Sequence, residues 1–370
     1  MAKVLITGGA GFIGSHATNA LLAAGYEVRL LDNLSPQVHG AQRNRPAYLN
    51  EHAELVIGTV TDVVAVERAL RGVDKVLHLA SSVGVGQSMY DISSYVSTNE
   101  LGTAIMLEAI SKRPIERLVV ASSMSIYGEG LGRSTDGTTV APAERSFNQL
   151  KLAQWELKDD SGGLLDPLPT PETKQPSLSS IYALNKYAQE RMCLITGNAY
   201  GIPTLALRFF NVFGPYQALS NPYTGVLAIF AARLLNNRPP LVFEDGLQRR
   251  DFVHVHDVAR ACLLALESDH SNDVFNVGSG QSRTIRSVAI DLARVMGRPT
   301  ISPEITGKYR AGDIRHCFAD INKSRALLGF EPRVAFDEGL DELARYLTGQ
   351  IAEDRAENAT QELLRRGLVA

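Results

Sequence analysis

The sequence predicts an α/β fold: a doubly wound parallel sheet with a smaller α/β lobe toward the C-terminus. Three observations carry this. Short apolar runs alternate with helix-period segments through the first 210 residues, the pattern of parallel strands joined by crossover helices. A glycine-rich turn follows the first apolar run. Beyond residue 210 strands and helices still alternate, but less regularly.

The first run, Lys3–Thr7, has the continuous apolar character of a strand buried on both faces. It turns through Gly8, Gly11 and Gly14 into an amphipathic run that begins at Phe12 and Ile13. Gly8 lets the turn tighten, Gly11 lets backbone approach a pyrophosphate, and Gly14 lets helix and strand pack closely. The helix N-terminus presents free N–H groups to the anion. The next strand, Glu27–Asp32, ends on an acid 18 residues past Gly14, followed by Asn33. A carboxylate there accepts both ribose hydroxyls of NAD and repels the 2′-phosphate of NADP. The reading is a Rossmann-type NAD site.

A third strand is expected at about 54–58, then a helix capped at Thr61-Asp62 and running to 71. A fourth strand at 75–79 ends in Leu79 and continues into Ala80-Ser81-Ser82. A long helix follows over 93–111, with Pro114 beyond its end. A fifth strand, 117–121, runs out into Ser122-Ser123-Met124-Ser125-Ile126-Tyr127-Gly128. Residues 129–178 then lose clear periodicity and are rich in Gly and Pro. Such length usually marks a functional loop or lid; a short helix around Trp155 is the one element expected there. Helix resumes over 180–200 and strand at Thr204–Phe209. Later elements are expected at 226–236, 241–243, 257–267, 274–277, 285–296 and 337–347, with a helical tail over 351–366.

The expected organisation is an NAD-binding domain over 1–210, with 251–275 returning to it. Residues 211–250 and 276–348 form the second lobe, and 349–370 a tail that packs on its own domain or on a partner. The formal charge of −3 provides no basic surface for nucleic acid. No apolar run is long enough to cross a membrane, and the N-terminus enters a strand directly, with no signal peptide. Cys193, Cys262 and Cys317 lie far apart with no CxxC spacing, which reads as reduced thiols in a cytoplasmic protein. No metal site is expected. His254 and His256 alternate as in a strand entering a helix N-cap and are read as structural.

Tyr182 and Lys186 stand at i and i+4, on one helix face. A free tyrosine titrates near ~10, too high for a base at neutral pH. A lysine and a positive nicotinamide ring beside it both favour the phenolate. In an open parallel sheet, ligands bind beyond the C-terminal strand ends. The glycine turn, Asp32, Ala80-Ser81, Ser123 and the start of the Tyr182 helix should therefore share one crevice. A hydroxyl, a phenol and a lysine beside a nicotinamide make a hydride-transfer site. For Ser122, capping of the strand end remains the alternative.

With these motifs in hand, the chain resembles the extended short-chain dehydrogenase/reductases, in the branch of nucleotide-sugar epimerases and dehydratases. The resemblance spans about residues 3–347. It rests on the Thr7–Gly14 loop, Asp32-Asn33, Asp62-Val63, His78-Leu79-Ala80, Asn99 with Gly102-Thr103, Ser122-Ser123, and Tyr182 with Lys186. It continues through Arg208–Pro215, Arg250–Val255, Phe275–Gly280 and Arg310–Asp313. It implies that Asp32 holds the adenosine ribose, that Asp62 and Val63 flank the adenine, and that Leu79, Ala80, Ser81, Ser122 and Phe209 line the cofactor, with Asn99 supporting that region. It implies Ser123 as hydrogen-bond donor to the sugar oxygen, Tyr182 as acid/base, and Lys186 as ribose holder and tuner of the tyrosine. Val83, Asn211, Val226, Leu227, Phe243, Arg250, Arg310 and Asp313 fall to the sugar nucleotide; two guanidiniums and an amide suit a pyrophosphate.

The family's reactions share an opening oxidation at C4 of the sugar. A 4,6-dehydratase also needs an Asp-Glu pair directly after the active-site hydroxyl, where this chain has Met124-Ser125. A decarboxylase of a uronic acid stays open, and Val83–Gly86, near the expected sugar pocket, names no substituent. Ser123 and Tyr182 lie 59 residues apart, farther than is usual in the family. That enlarged loop and the Ser122–Gly128 phrase resemble dTDP-L-rhamnose 4-epimerase-like and UDP-sugar 4-epimerase proteins. The favoured function is NAD-dependent 4-epimerisation of a dTDP-6-deoxyhexose or a UDP-hexose or uronic acid, with the 129–178 loop expected to cover the sugar. The competing class is a non-catalytic dinucleotide sensor. The resemblance further implies a homodimer formed through the 93–111 and 180–200 helices.

Overall fold

In the computed structural model, which describes residues 1–310 and 312–370, seven strands form the central sheet. They are β1 (Lys3–Thr7), β2 (Glu27–Asp32), β3 (Glu54–Ile57), β4 (Lys75–His78), β5 (Arg117–Ser123), β6 (Thr204–Phe209) and β7 (Asp273–Val277). Their spatial order is β3-β2-β1-β4-β5-β6-β7, and every neighbouring pair is parallel. The winding reverses between β1 and β4, which opens a crevice beyond the strand ends. Both faces are covered, which explains the unbroken apolar run of β1. Val4 and Ile6 join one layer with Leu21, Val258 and Cys262; Leu5 joins the other with Val66, Met106 and Cys193.

Helix α1 (Phe12–Ala23) packs on helix Val255–Glu267. The long helix expected over 93–111 is three segments: Ile92–Val96, a π-helical turn Ser97–Leu101, and Gly102–Ile110. The π turn carries Asn99 fully inward, a device common at functional sites. Helical periodicity continues across such a turn, so the pattern alone does not reveal it.

The 129–178 region is more ordered than its sequence suggests. Strands Leu131–Arg133, Thr139–Val140 and Asp166–Leu168 form a small antiparallel sheet, each too short to register a period. The helix there is Phe147–Lys151, capped by Ser146. It ends before Trp155, whose ring instead packs on Tyr309, which corrects the expectation of a helix around the tryptophan. Buried ion pairs tie this region to the second lobe. Arg145 reaches Glu244 at 2.8 Å, and the fully buried Arg315 reaches Glu156 at 2.5 Å.

The second lobe packs helices Val226–Leu235, Ile285–Val295 and Phe336–Leu347 around Phe230, Leu292 and Leu340. Its strand Arg249–His254 pairs with Asn211–Phe213 and Ser282–Thr284. The tail helix is Ala356–Arg365, starting later than expected. All three cysteines are free and buried, and no helix among the described residues is long and apolar enough to cross a membrane.

Candidate active site

A cleft of about 770 Å³ runs across the sheet's C-terminal edge. One end is the glycine turn. A Cβ on Gly14 would meet the Gly8 carbonyl at 2.5 Å and Gly9 Cα at 2.7 Å, and one on Gly8, at φ +68°, would meet Ala80 backbone at 2.9 Å. Only glycine fits either place. Gly11 begins α1 without a side-chain cap, so the first-turn N–H groups beside Gly11, Phe12 and Ile13 are left for a ligand. Asp32 is buried at the end of β2, accepting from Ala10 N at 3.0 Å on one oxygen and Leu34 N at 2.9 Å on the other. Each oxygen retains a lone pair, as recognition of a ribose diol requires. The turn and Asp32 thus fit a dinucleotide.

Asn33, Leu79, Ala80, Ser81, Ser122 and Phe209 line the same cleft. The Ser122 hydroxyl is committed to Glu190 at 2.7 Å, so Ser122 contributes wall rather than a donor. Asp62 and Val63 are exposed, next along the chain from the cleft wall at Gly58-Thr59-Val60. The Asp62 carboxylate caps helix Val63–Ala69, accepting from Val64 N and Ala65 N, and Gly58-Thr59-Val60 form the wall there. Asn99 is also set back: it accepts from Ser82 N at 2.7 Å and Ser81 Oγ at 3.1 Å, and donates to the Ser82 carbonyl. It fixes the loop that lines the cleft without facing it.

Ser123, Tyr182 and Lys186 meet at the cleft's centre. Helix Ile181–Tyr200 is capped by Ser180, and the Tyr182 N–H donates to Ser88 Oγ at 3.0 Å. Burial raises the Tyr182 phenol above its ordinary value, and the Ser123 hydroxyl beside it pulls the other way. The lowering expected from Lys186 together with a positive nicotinamide ring refers to the NAD-loaded site. Lys186 itself is pushed down to about 8 by burial, opposed by Cys193 and Glu190. Its Nζ donates to Gln189 Oε1 at 2.8 Å. Neither Ser88 nor Gln189 stood out in the sequence. Gln189 sits at i+3 from Lys186, a spacing that could have flagged it; Ser88 had no local signal.

At the far end Val83, Asn211, Val226, Leu227, Phe243, Arg250, Arg310 and Asp313 all line the cleft. Arg310 stacks on Phe243 with its guanidinium carbon 4.5 Å from the ring centre. Its Nε and the Asn211 Oδ1 are buried with no partner, as a polar ligand's site would leave them. Arg250 is more committed: it donates to the Arg315 carbonyl at 3.0 Å, to the Ile314 carbonyl and to Asp313 at 3.4 Å. None of residues 126–181 is among the described residues lining the cleft, so the 129–178 region does not cover it in this structure.

His254 Nδ1 accepts from His256 N at 3.4 Å, capping helix Val255–Glu267. Its Nε2 therefore carries the proton and faces Glu342 at 3.6 Å. His254, His256 and Glu342 lie close together, their potential ligand atoms within 4.8 Å of one another.

A family model described as "NAD dependent epimerase/dehydratase family" matches residues 4–154 and 163–278. The chain belongs to this family. NAD is its cofactor, which agrees with the Asp32 turn. A dTDP-L-rhamnose 4-epimerase from Burkholderia thailandensis is 37% identical, over 94% of this chain and 96% of that protein. A UDP-glucose 4-epimerase from Thermotoga maritima, solved with UDP-glucose, superposes with a TM-score of 0.76 at 31% identity, covering 94% of this chain and 99% of that one. A Thermus thermophilus UDP-glucose 4-epimerase in complex with NAD gives 0.74 at 32%, covering 94% and 100%. Nucleotide-sugar decarboxylases and a dehydratase match at 26–29% identity. The chain is thus an enzyme of the NAD-dependent epimerase/dehydratase family.

Proposed function

We propose that the protein is a 4-epimerase of a nucleotide-diphosphate sugar. The observation that carries this reading is the set of acids at the cleft. Among the described residues these are Asp32, Asp91 and Asp313. Asp32 belongs to the glycine-turn end and Asp313 is paired with Arg250. A 4,6-dehydratase needs both an acid and a base at the sugar, and Met124 and Ser125 stand where they would sit. One free carboxylate cannot fill both roles.

In this reading Gly8, Gly11 and Gly14 receive the pyrophosphate of NAD, Asp32 its adenosine ribose, and Lys186 its nicotinamide ribose, while Ala80 and Ser81 line it. Bound NAD accepts and returns a hydride. Tyr182 takes the proton of the C4 hydroxyl and later gives it back, and Ser123 donates a hydrogen bond to the oxygen that becomes a carbonyl. Charged Lys186 favours the phenolate, against the burial that raises it. Arg310 and Asn211 hold the diphosphate, with Arg250 keeping the 313–315 segment in place, so that the keto sugar turns without leaving. The 37%-identical relative favours a dTDP-6-deoxyhexose over a UDP-hexose.

We also propose a homodimer. Leu101 and Leu184, on neighbouring helices, are 51% and 46% exposed, and Val96 and Ile195 are exposed beside them, an apolar patch that a four-helix contact covers. Leu101→Arg should then shift the molar mass by light scattering from twice the chain mass to once.

The function is tested by incubating the enzyme with dTDP- and UDP-sugars and following the product by NMR. The C4 epimer is expected, and Tyr182→Phe should keep bound NAD(H) while losing turnover. A protein indifferent to Tyr182→Phe, with no product from any sugar, is a sensor.

A further inference from the structure

The tail helix shares the cleft with the catalytic residues. Ala356, Ala359, Thr360 and Leu363 fall on one helix face, and with Leu368 they line the cleft that holds Ser123 and Tyr182. Leu363 is buried against Gly86, where a Cβ would meet its Cδ1 at 3.2 Å. Gly86 lies two residues before Ser88, whose hydroxyl accepts the Tyr182 N–H. This end of the tail therefore sits at the sugar side of the site.

The tail is pinned at three places. Before the helix, Asp354 meets Arg233 at 3.4 Å and Arg238 at 3.2 Å. At its end, the Arg366 guanidinium carbon stands 4.3 Å from the centre of the Tyr90 ring. The final residue, Ala370, exchanges backbone hydrogen bonds with Tyr309 at 2.9 and 3.1 Å, next to Arg310.

The basic groups among the described cleft residues are His39, Lys186, Arg250 and Arg310. His39 lies 3.7 Å from Asp32, Lys186 is bound to Gln189, Arg250 holds the 313–315 segment, and Arg310 stacks on Phe243. Among the described residues no cation lines the cleft at the Leu363 end: Arg366 lies nearby but outside the lining and is paired with Glu362 at 2.7 Å, and burying a sugar carboxylate unpaired is costly.

We propose that the C-terminal segment is a wall of the sugar subsite, and that Leu363 against Gly86 selects a neutral sugar with an unoxygenated exocyclic carbon, a 6-deoxyhexose, over a hexose or a uronic acid. This rests on the epimerase reading, but binding tests it separately from turnover. Affinities of NAD-loaded enzyme for a 6-deoxyhexose, a hexose and a hexuronic acid, all carried on dTDP and then all on UDP, are measured by calorimetry. The wild type should prefer the 6-deoxyhexose by about tenfold or more, the worth of one pocket contact. Leu363→Ser should bring the three within about threefold, and Leu363→Arg should favour the uronic acid. Unchanged ratios in folded variants overturn the proposal. If the ratios shift but no sugar is epimerised, the subsite stands and the epimerase reading falls.

Hydrogen exchange on wild type needs no variant. Amides of 356–370 should gain more protection from the dTDP-6-deoxyhexose than from dTDP alone; equal protection by both also overturns the proposal.

Discussion

Lys186 donates to Gln189 Oε1 at 2.8 Å, one turn along the same buried helix. Gln189 Nε2 in turn donates to Thr103 Oγ1 at 2.9 Å, and the Thr103 hydroxyl donates to the Asn99 carbonyl at 2.6 Å. His78 Nε2 therefore donates to Thr103, and its Nδ1 accepts from Thr7 at 2.6 Å. One network thus runs from the last residue of β1 to the active-site lysine, and the geometry of the nicotinamide end depends on it.

Gln189 is a positioning residue, and its effect should appear in the pH profile. Lys186, at about 8, loses its charge as pH rises through that value, so kcat/KM should fall on an alkaline limb near pH 8. Gln189→Met removes the acceptor that favours the ammonium. It should lower kcat roughly tenfold and move that limb to lower pH. Gln189→Glu should move it higher and recover part of kcat. A limb that stays in place in both variants removes this role.

Lys186 should also oppose folding. Its folded pKa lies below the unfolded one, so the unfolded chain binds more protons between pH 8 and about 10.5, and stability rises with pH across that window. The cost is complete below pH 8. Lys186→Met should be inactive yet more stable than wild type by roughly 2 kcal/mol at pH 7, after about 1 kcal/mol is subtracted for the hydrogen bond lost at Gln189. Urea unfolding should show this gain shrinking toward pH 10.5.

Glu190 accepts two hydrogen bonds from Arg208, at 2.7 and 2.9 Å, and a third from Ser122 at 2.7 Å, all buried. Glu190→Ala leaves a buried guanidinium without its counter-charge. A loss of roughly 3–5 kcal/mol is expected in chemical denaturation. A loss under about 1 kcal/mol would show that water reaches the pair.

Gly14→Ala places a methyl 2.5 Å from the Gly8 carbonyl and should open the turn. Purified wild type should carry NAD(H), because the 4-epimerase reading keeps the cofactor resident. The variant should be purified with little or none, as read by absorbance and fluorescence of the released nucleotide. Full retention would mean that the turn is not the holder.

The sheet was legible because its strands are buried on both faces and its helices are amphipathic, so each element announces itself locally. That Tyr182, Lys186, Ser123 and Asp32 share one cleft was legible, because ligands bind beyond the C-terminal strand ends of an open parallel sheet. The residues that complete the site were not. Ser88 meets Tyr182 across 94 positions, and Leu363 meets Gly86 across most of the chain, so nothing local predicts either contact. The closing wall was expected from the 129–178 region because its length is conspicuous. The wall is the tail, whose amphipathic pattern reads equally well as ordinary packing. Asp62 carries a duty that its motif position does not state: its Oδ1 caps a helix.

The most direct test of the account is turnover in D₂O of a dTDP-6-deoxyhexose and a UDP-hexose, with the product read by NMR. A 4-epimerase passes the same hydride out and back, so the product should have inverted configuration at C4, protium retained there, and no deuterium at C5 or C6. Deuterium at C5 with loss of water would show dehydration and contradict the account.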